Sequence, residues 1–414
     1  GGSLINILPG GTKTAIAIGL AGLATGCTLL PLSIRPQSKS PLLSKAFVLL
    51  ATQGALFGAM FPSHSVLLSK WLTPNERGSA MAYGEIAMSA ASMGVPVVVT
   101  SIAEYTAKLS TTSPTSPIMG WRNGFYATGF ACFSYLCVWV MLGRNEPDSC
   151  SYISKKELDL IHSVQTESVQ TTTNGKQSDK GDTATPLPWQ RILLHPSILS
   201  LFLVHMLYNF VALSLNSWMP TYYNDVLQMN PKDSKVHIVL PQLAAFLVKL
   251  CVSKVALIVR EVRKKQKRLS HETVNDERSM ILFSRRVMSC MGFLIMAIPL
   301  WLLPMAVPSV LGSSYSPWLS TVLFSVALAG TGFHAESFRA NYLDVTEKHV
   351  GLVSGVGNCL SSVSAMCSPF VVGKIIKMTR GDWSPVWKLF GLSCLIAGLL
   401  FGNFSTTIPV EEVQ

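Results

Sequence analysis

ILSLFLVHMLYNFVALSLNSWM, residues Ile198–Met219, contains no Asp, Glu, Lys or Arg. About 20 predominantly apolar residues cross the hydrocarbon core of a bilayer as a helix, and this run is long enough. Nine further stretches qualify or come close: Thr14–Leu32, Leu42–Leu68, Ser79–Ile102, Gly124–Leu142, Val236–Val259, Val287–Val307, Pro317–Phe333, Gly351–Ile375 and Leu389–Phe404. Together they predict an all-α polytopic membrane protein with ten transmembrane helices. Several are rich in Gly, Pro and Ser, which membrane helices tolerate.

The rest of the composition agrees. Of 414 residues, 49% are apolar and only 13% charged, about half the roughly 25% charge of a soluble domain. A bilayer core rejects charge, so a lipid-facing protein does without it. The net charge of +11 sits in short segments between apolar runs. Nucleic-acid binding wants basic residues interleaved with aromatics on a folded face, so a nucleic-acid partner is excluded and the lipid bilayer is the expected one. Lys and Arg concentrate on one set of alternate loops, with nine of the 33 between Arg260 and Arg286. By the positive-inside rule that side is cytoplasmic and carries both termini; which membrane is not legible. The nine cysteines show no CxxC and no metal-like spacing with His, and no cofactor is implied. No signal peptide is visible at Gly1-Gly2.

The longest polar segment, Arg144–His195, separates four spans from six. Its middle, Thr166–Thr185, is too polar to bury a core and reads as a flexible cytoplasmic linker. The expected organisation is a helical bundle over residues 1–143, the linker over 144–195 and a second bundle over 196–414. The two parts resemble each other. Thr73-Pro74-Asn75-Glu76-Arg77-Gly78 matches Thr346-Glu347-Lys348-His349-Val350-Gly351, each with an acidic–basic pair before a small-residue helix. Ser89-Ala90-Ala91-Ser92-Met93-Gly94-Val95-Pro96 then matches Ser362-Val363-Ser364-Ala365-Met366-Cys367-Ser368-Pro369. Parallel repeats of six spans build one transporter architecture, so two helices are expected to be missing ahead of Gly1.

These segments resemble the anion:cation symporter family of the major facilitator superfamily, which includes sialin, vesicular glutamate transporters and sodium-phosphate transporters; the plant and protist phosphate-type branch is nearest. The resemblance rests on Phe61-Pro62, Ser69-Lys70-Trp71-Leu72-Thr73-Pro74-Asn75-Glu76-Arg77 and Gly120-Trp121-Arg122-Asn123-Gly124-Phe125-Tyr126. It continues in Ser217-Trp218-Met219-Pro220-Thr221-Tyr222-Tyr223-Asn224-Asp225, Asn341-Tyr342-Leu343-Asp344, Gly355-Val356-Gly357-Asn358, Pro369 and Gly373. It implies a two-bundle fold and secondary transport of a small anion by a monomer, with Na⁺ or H⁺ as the coupling ion. The chain departs from the pattern where Leu50, Phe57 and Leu257 replace charged residues. Asn6 replaces an Asp, and Ser65 replaces a polar His or Asn, with His64 adjacent.

Ionisable groups inside spans are costly and usually line a pathway or pair with one another. Glu85 is either a coupling carboxylate or a snorkelling one. His205, Tyr208 and Asn209 share one helical face by their i, i+3, i+4 spacing, and Asn216 lies two turns on; they line a pathway or hydrogen-bond between helices. Lys249 lies mid-span with no carboxylate at i±3 or i±4, as an anion-attracting or a snorkelling charge. Arg339 could hold an anion bidentately, or pair with Glu336 three residues away. With His64 and Asn358, these form the candidate pathway set. Glu76-Arg77 and Glu347-Lys348 would be charge pairs at a cytoplasmic gate, or static surface pairs. No GxxxxGK[ST], HExxH or GxSxG is present, so no enzyme is expected. The expected function is alternating-access transport of phosphate or organic anions, driven by an ion gradient or the membrane potential. The rival is a non-transporting relative acting as a sensor or scaffold.

Overall fold

Five of the long helices begin on proline, at Pro41, Pro74, Pro196, Pro231 and Pro317. Proline suits the first helical position because its fixed φ fits the helix and its missing N–H would have no partner there. Three of these starts are also capped by side chains. Thr73 donates its backbone N–H (3.1 Å) and hydroxyl (2.7 Å) to the Glu76 carboxylate, the glutamate half of a Thr-x-x-Glu capping box. His195 and Ser316 accept from the N–H groups of Ser197 and Trp318. Local chemistry thus fixes where several apolar runs enter their helices.

The computed structural model describes residues 9–34, 41–109, 120–163, 189–269, 277–307, 310 and 316–411. Its long helices are α1 (Gly11–Ser33), α2 (Pro41–Phe57), α3 (Met60–Trp71), α4 (Pro74–Leu109), α5 (Gly120–Leu142) and α6 (Pro196–Asp225). They continue with α7 (Pro231–Leu269), α8 (Glu277–Leu302), α9 (Pro317–Gly330), α10 (Val350–Met378) and α11 (Ser384–Phe404). No strand occurs among the described residues. Nine helical segments there are long and apolar enough to cross a membrane. The tenth predicted stretch, Ser79–Ile102, is helical within the 36-residue α4 but is not one of the nine.

Leu42–Leu68 falls in one candidate span, Lys45–Trp71, which turns at Gly58-Ala59 between α2 and α3. Pro62 explains the break, since its ring would clash with the carbonyl four residues back, at Gly58. One expectation is corrected: Arg260–Arg286 is not a loop. Arg260 through Arg268 continue α7, and Arg278, Arg285 and Arg286 belong to α8. The hydropathy reading stopped these helices where charge begins, whereas the backbone continues helical beyond it. Residues 155–163 and Trp189–Leu193 are also helical; Thr166–Thr185, read as a flexible linker, and Asn6 lie outside the described residues.

The chain divides into two compact units, Gly1–Trp71 with Ala90–Leu160, and Leu72–Ser89 with Ile161–Gln414. In the first unit, Gly19, Gly22 and Gly26 give α1 a bare face; a methyl group there would strike Met60, Leu56 and Gln53. Small residues permit this close approach between membrane helices. Asn145 ties the unit together by accepting from Lys13 N (2.7 Å) and donating to Gly10 O (2.8 Å). Leu50 and Phe57, which stand in place of charges, point outward and are exposed.

The second unit has an aromatic core of Tyr222, Tyr223, Phe324, Trp383 and Trp387. Helices α6 and α10 are joined by serine hydroxyls: Ser364 donates to Met206 O (2.9 Å) and Ser368 to Phe210 O (3.0 Å). After α9 the chain runs through a 3₁₀ turn, Thr331–His334, and a π turn, Ala335–Arg339, in which Ser337 leaves helical geometry (φ −114°, ψ −119°). These irregular turns aim the charges described next.

Candidate functional site

An ionised side chain held away from water needs an opposite charge beside it. Within the second unit, Glu85 of α4 satisfies two at once. One carboxylate oxygen lies 3.0 Å from Lys249 Nζ of α7, the other 3.0 Å from an Arg339 Nη at the end of the π turn. The three side chains are 7%, 8% and 17% exposed. Lys249 also donates to Ser89 Oγ at 2.8 Å, and the Arg339 guanidinium lies 5.5 Å from the centre of the Tyr208 ring. Arg339 Nε is buried without a hydrogen-bond partner among the described residues. One carboxylate against two cations leaves the group with a surplus positive charge.

Four residues predicted separately, Glu85, Lys249, Arg339 and Tyr208, therefore meet. Two sequence expectations change. Arg339 does not pair with Glu336, because the π turn sends the two side chains apart: Arg339 goes to Glu85, Glu336 to Arg285 and Arg260. Lys249 is not an isolated cation, since Glu85 comes to it from another helix. His205 bonds through Nδ1 to Tyr342 OH at 3.0 Å, the interhelical alternative. Asn209 and Asn358 are half-buried; the Asn358 carbonyl accepts from Ser361 and Ser362. Asn216 is exposed and accepts from Gln242, and His64 is exposed within the first unit.

A second cluster was not anticipated. Arg285, 0% exposed, lies between two carboxylates, 3.2 Å from both Glu336 and Asp344. Arg260 meets Glu336 at 3.7 Å, and Arg77 meets Asp344 at 3.2 Å while donating to Leu343 O at 2.6 Å. The chain of charges alternates in sign across α4, α7, α8 and the segment after α9. A methyl group on Gly78 would collide with Glu336 and Arg285, so glycine is needed at that crossing.

The expected gate pairs take other roles in this structure. Glu76 caps its own helix rather than meeting a cation, while Arg77 joins Asp344. Glu347 lies 3.8 Å from Arg278 with both side chains well exposed, and Lys348 contributes a backbone N–H to Glu411. Apolar character begins only at Val287, so Arg285 falls outside the stretch that hydropathy marks. Its signal was the small-polar face Ser284, Arg285, Ser289 and Gly292, which a helix longer than its apolar core presents inward. A cavity of about 270 Å³ lies elsewhere in this unit, among Tyr222, Val226, Trp383 and Trp387, and holds none of the predicted site residues.

Comparison with known proteins bears on both fold and class. Residues 1–267 match the sequence profile of the Major Facilitator Superfamily. Over 400 residues the chain is 24% identical to "Probable anion transporter 1, chloroplastic" of Oryza sativa subsp. japonica, covering 96% of this chain and 64% of that protein. It is 22% identical to human sialin over 416 residues, 98% of this chain and 73% of sialin. The chain thus spans just under two thirds of the rice relative's length. The proton:xylose symporter XylE bound to 6-bromo-6-deoxy-D-glucose superposes with a TM-score of 0.67 at 11% identity, over 100% of this chain and 85% of that one.

Proposed function

The chain belongs to the Major Facilitator Superfamily, an integral multi-pass membrane family of transporters rather than enzymes, and on that premise we propose that it carries a small anion across its membrane by alternating access. The observation that carries this reading is the buried group around Glu85. Lys249 and Arg339 supply two cations to one carboxylate, so the group attracts an anion and can compete for it. Arg339 offers a planar fork suited to a carboxylate or phosphate, and its unpartnered Nε is a donor in waiting. The names of the relatives, an anion transporter and sialin, agree with an anionic solute.

Glu85 is the coupling residue in this proposal. When it is neutralised by a proton, or its charge is countered by Na⁺, Lys249 and Arg339 lose their internal partner and turn to the solute. Loading of the driving ion and of the anion are then one event, because each removes the charge imbalance the other creates. Phosphate or an organic anion is the substrate, and the basic helix ends face the cytoplasm with both termini.

The test is uptake of labelled phosphate and labelled organic anions by the full-length protein in vesicles, with pH, Na⁺ and potential varied separately. Saturable uptake driven by one of these gradients is expected, and Glu85→Gln should uncouple it from that gradient. Absence of uptake for both anion classes under every gradient would end the proposal.

A further inference from the structure

Helix α7 is far longer than a membrane requires. Its 39 residues extend ~58 Å at 1.5 Å per residue, about twice the ~30 Å hydrocarbon core. Its last ten residues, Arg260–Leu269, are therefore carried into the headgroup layer or just beyond. They hold six cations, Arg260, Arg263, Lys264, Lys265, Lys267 and Arg268, against the single acid Glu261.

The inner side of this extension is anchored. Arg260 reaches Asn75 and Glu336, and the Arg263 guanidinium lies 4.8 Å from the centre of the Phe283 ring of α8. The extension is thus braced against the second unit rather than being a free arm. The opposite side is apolar and open: Ile258, Val262 and Leu269 are 61%, 62% and 75% exposed. At 100° per residue these three share one stripe, Lys265 falls within it, and Arg268 lies on its flank, while the half-buried Lys264 is further round toward Arg260. Lys265 and Arg268 make no ion pair among the described residues.

An apolar stripe that faces lipid, edged on one flank by cations at headgroup depth, has a specific complement. We propose that the outer face of this helix end is a binding site for anionic phospholipid, with Lys265 and Arg268 on the headgroup phosphates and Ile258 and Val262, nearer the core, against the acyl chains. A soluble polyanion would satisfy the cations but leave the stripe in water. Zwitterionic lipid would cover the stripe without answering the charge. Anionic phospholipid does both, and clustered Lys and Arg next to a transmembrane helix attract it electrostatically.

Native mass spectrometry of the full-length protein, titrated with phosphatidylserine and separately with phosphatidylcholine, tests this. Preferential retention of phosphatidylserine is expected. The combined substitution Lys265→Gln, Arg268→Gln should lower its affinity by roughly 30-fold, about five- to sixfold per charge. Both positions are exposed, and size-exclusion elution confirms that the variant stays folded. A second substitution, Ile258→Asn with Val262→Asn, should weaken retention while leaving every charge in place. Equal retention of the two lipids, or unchanged phosphatidylserine retention in the charge variant, would overturn the proposal. So would tight binding of inositol hexakisphosphate that survives the Asn pair while phosphatidylserine does not bind, since that outcome assigns the cations to a soluble polyanion.

Discussion

The two buried charge clusters use the same materials in opposite order. Around Glu85, an acid stands in the middle with Lys249 and Arg339 at its ends. Around Arg285, a cation stands in the middle with Glu336 and Asp344 on either side, and further arginines beyond. The sign of the central residue decides what each cluster can release. Neutralising Glu85 frees two cations that an anion can satisfy. Neutralising Arg285 frees two carboxylates, for which no anion is a remedy. The first arrangement suits a binding event, the second a fixed junction between helices.

Breaking the second centre should have the largest effect. Arg285→Met leaves Glu336 and Asp344 without their shared cation, and removing one partner of a buried pair costs about 3–5 kcal/mol. A thermal unfolding midpoint well below that of the native chain in detergent is the expected result, or failure to accumulate in the membrane. Arg339→Gln should behave differently, because Lys249 still answers Glu85. Stability then falls less, while anion affinity drops roughly 10- to 100-fold, as expected for loss of one or two charge-assisted hydrogen bonds; competition uptake assays read this. If Arg339→Gln destabilises as much as Arg285→Met, the distinction between the clusters fails.

Gly78→Ala sharpens the comparison from the packing side. The added methyl has no room between Glu336 and Arg285, and overpacking costs about 1–3 kcal/mol. The same substitution at Gly84, where a methyl meets nothing within 4 Å, should leave the midpoint unchanged or raise it. Smaller again is Glu76→Ala, which removes a helix cap and about 1 kcal/mol. Least of all is Glu347→Gln: its partner Arg278 is 3.8 Å away and the pair is exposed, so a shift within 0.5 kcal/mol, approximately, is expected.

How much of this was legible in the sequence follows from what each signal depends on. Apolar length is a local property, so stretches such as Ile198–Met219 and Leu389–Phe404 identified their helices without knowledge of neighbours. Thr73-Pro74-Asn75-Glu76 reads as a helix start, and capping occupies the glutamate that repeat symmetry points to a gate. Lys249, Glu85 and Arg339 were each recognisable as costly inside a span. Their meeting was not, because they lie up to 254 positions apart in sequence (339 − 85) and only packing brings them together. Glu336 and Arg339 misled for the reverse reason: i, i+3 spacing promises a pair only in a regular helix, and no residue pattern announced the π turn. Arg285 lies where hydropathy has already fallen but the backbone is still helical.

The turn at Ala335–Arg339 also makes the protein sensitive to a kind of change that side-chain chemistry alone would not suggest. Ser337 leaves helical geometry there, so Glu336 and Arg339 stand on two sides of a kink. Removing Ser337 would take the kink with it. The direction in which Arg339 leaves the chain would then change, carrying its guanidinium off the Glu85 carboxylate with no charged group altered. A one-codon deletion could thus silence the site more thoroughly than many substitutions within it.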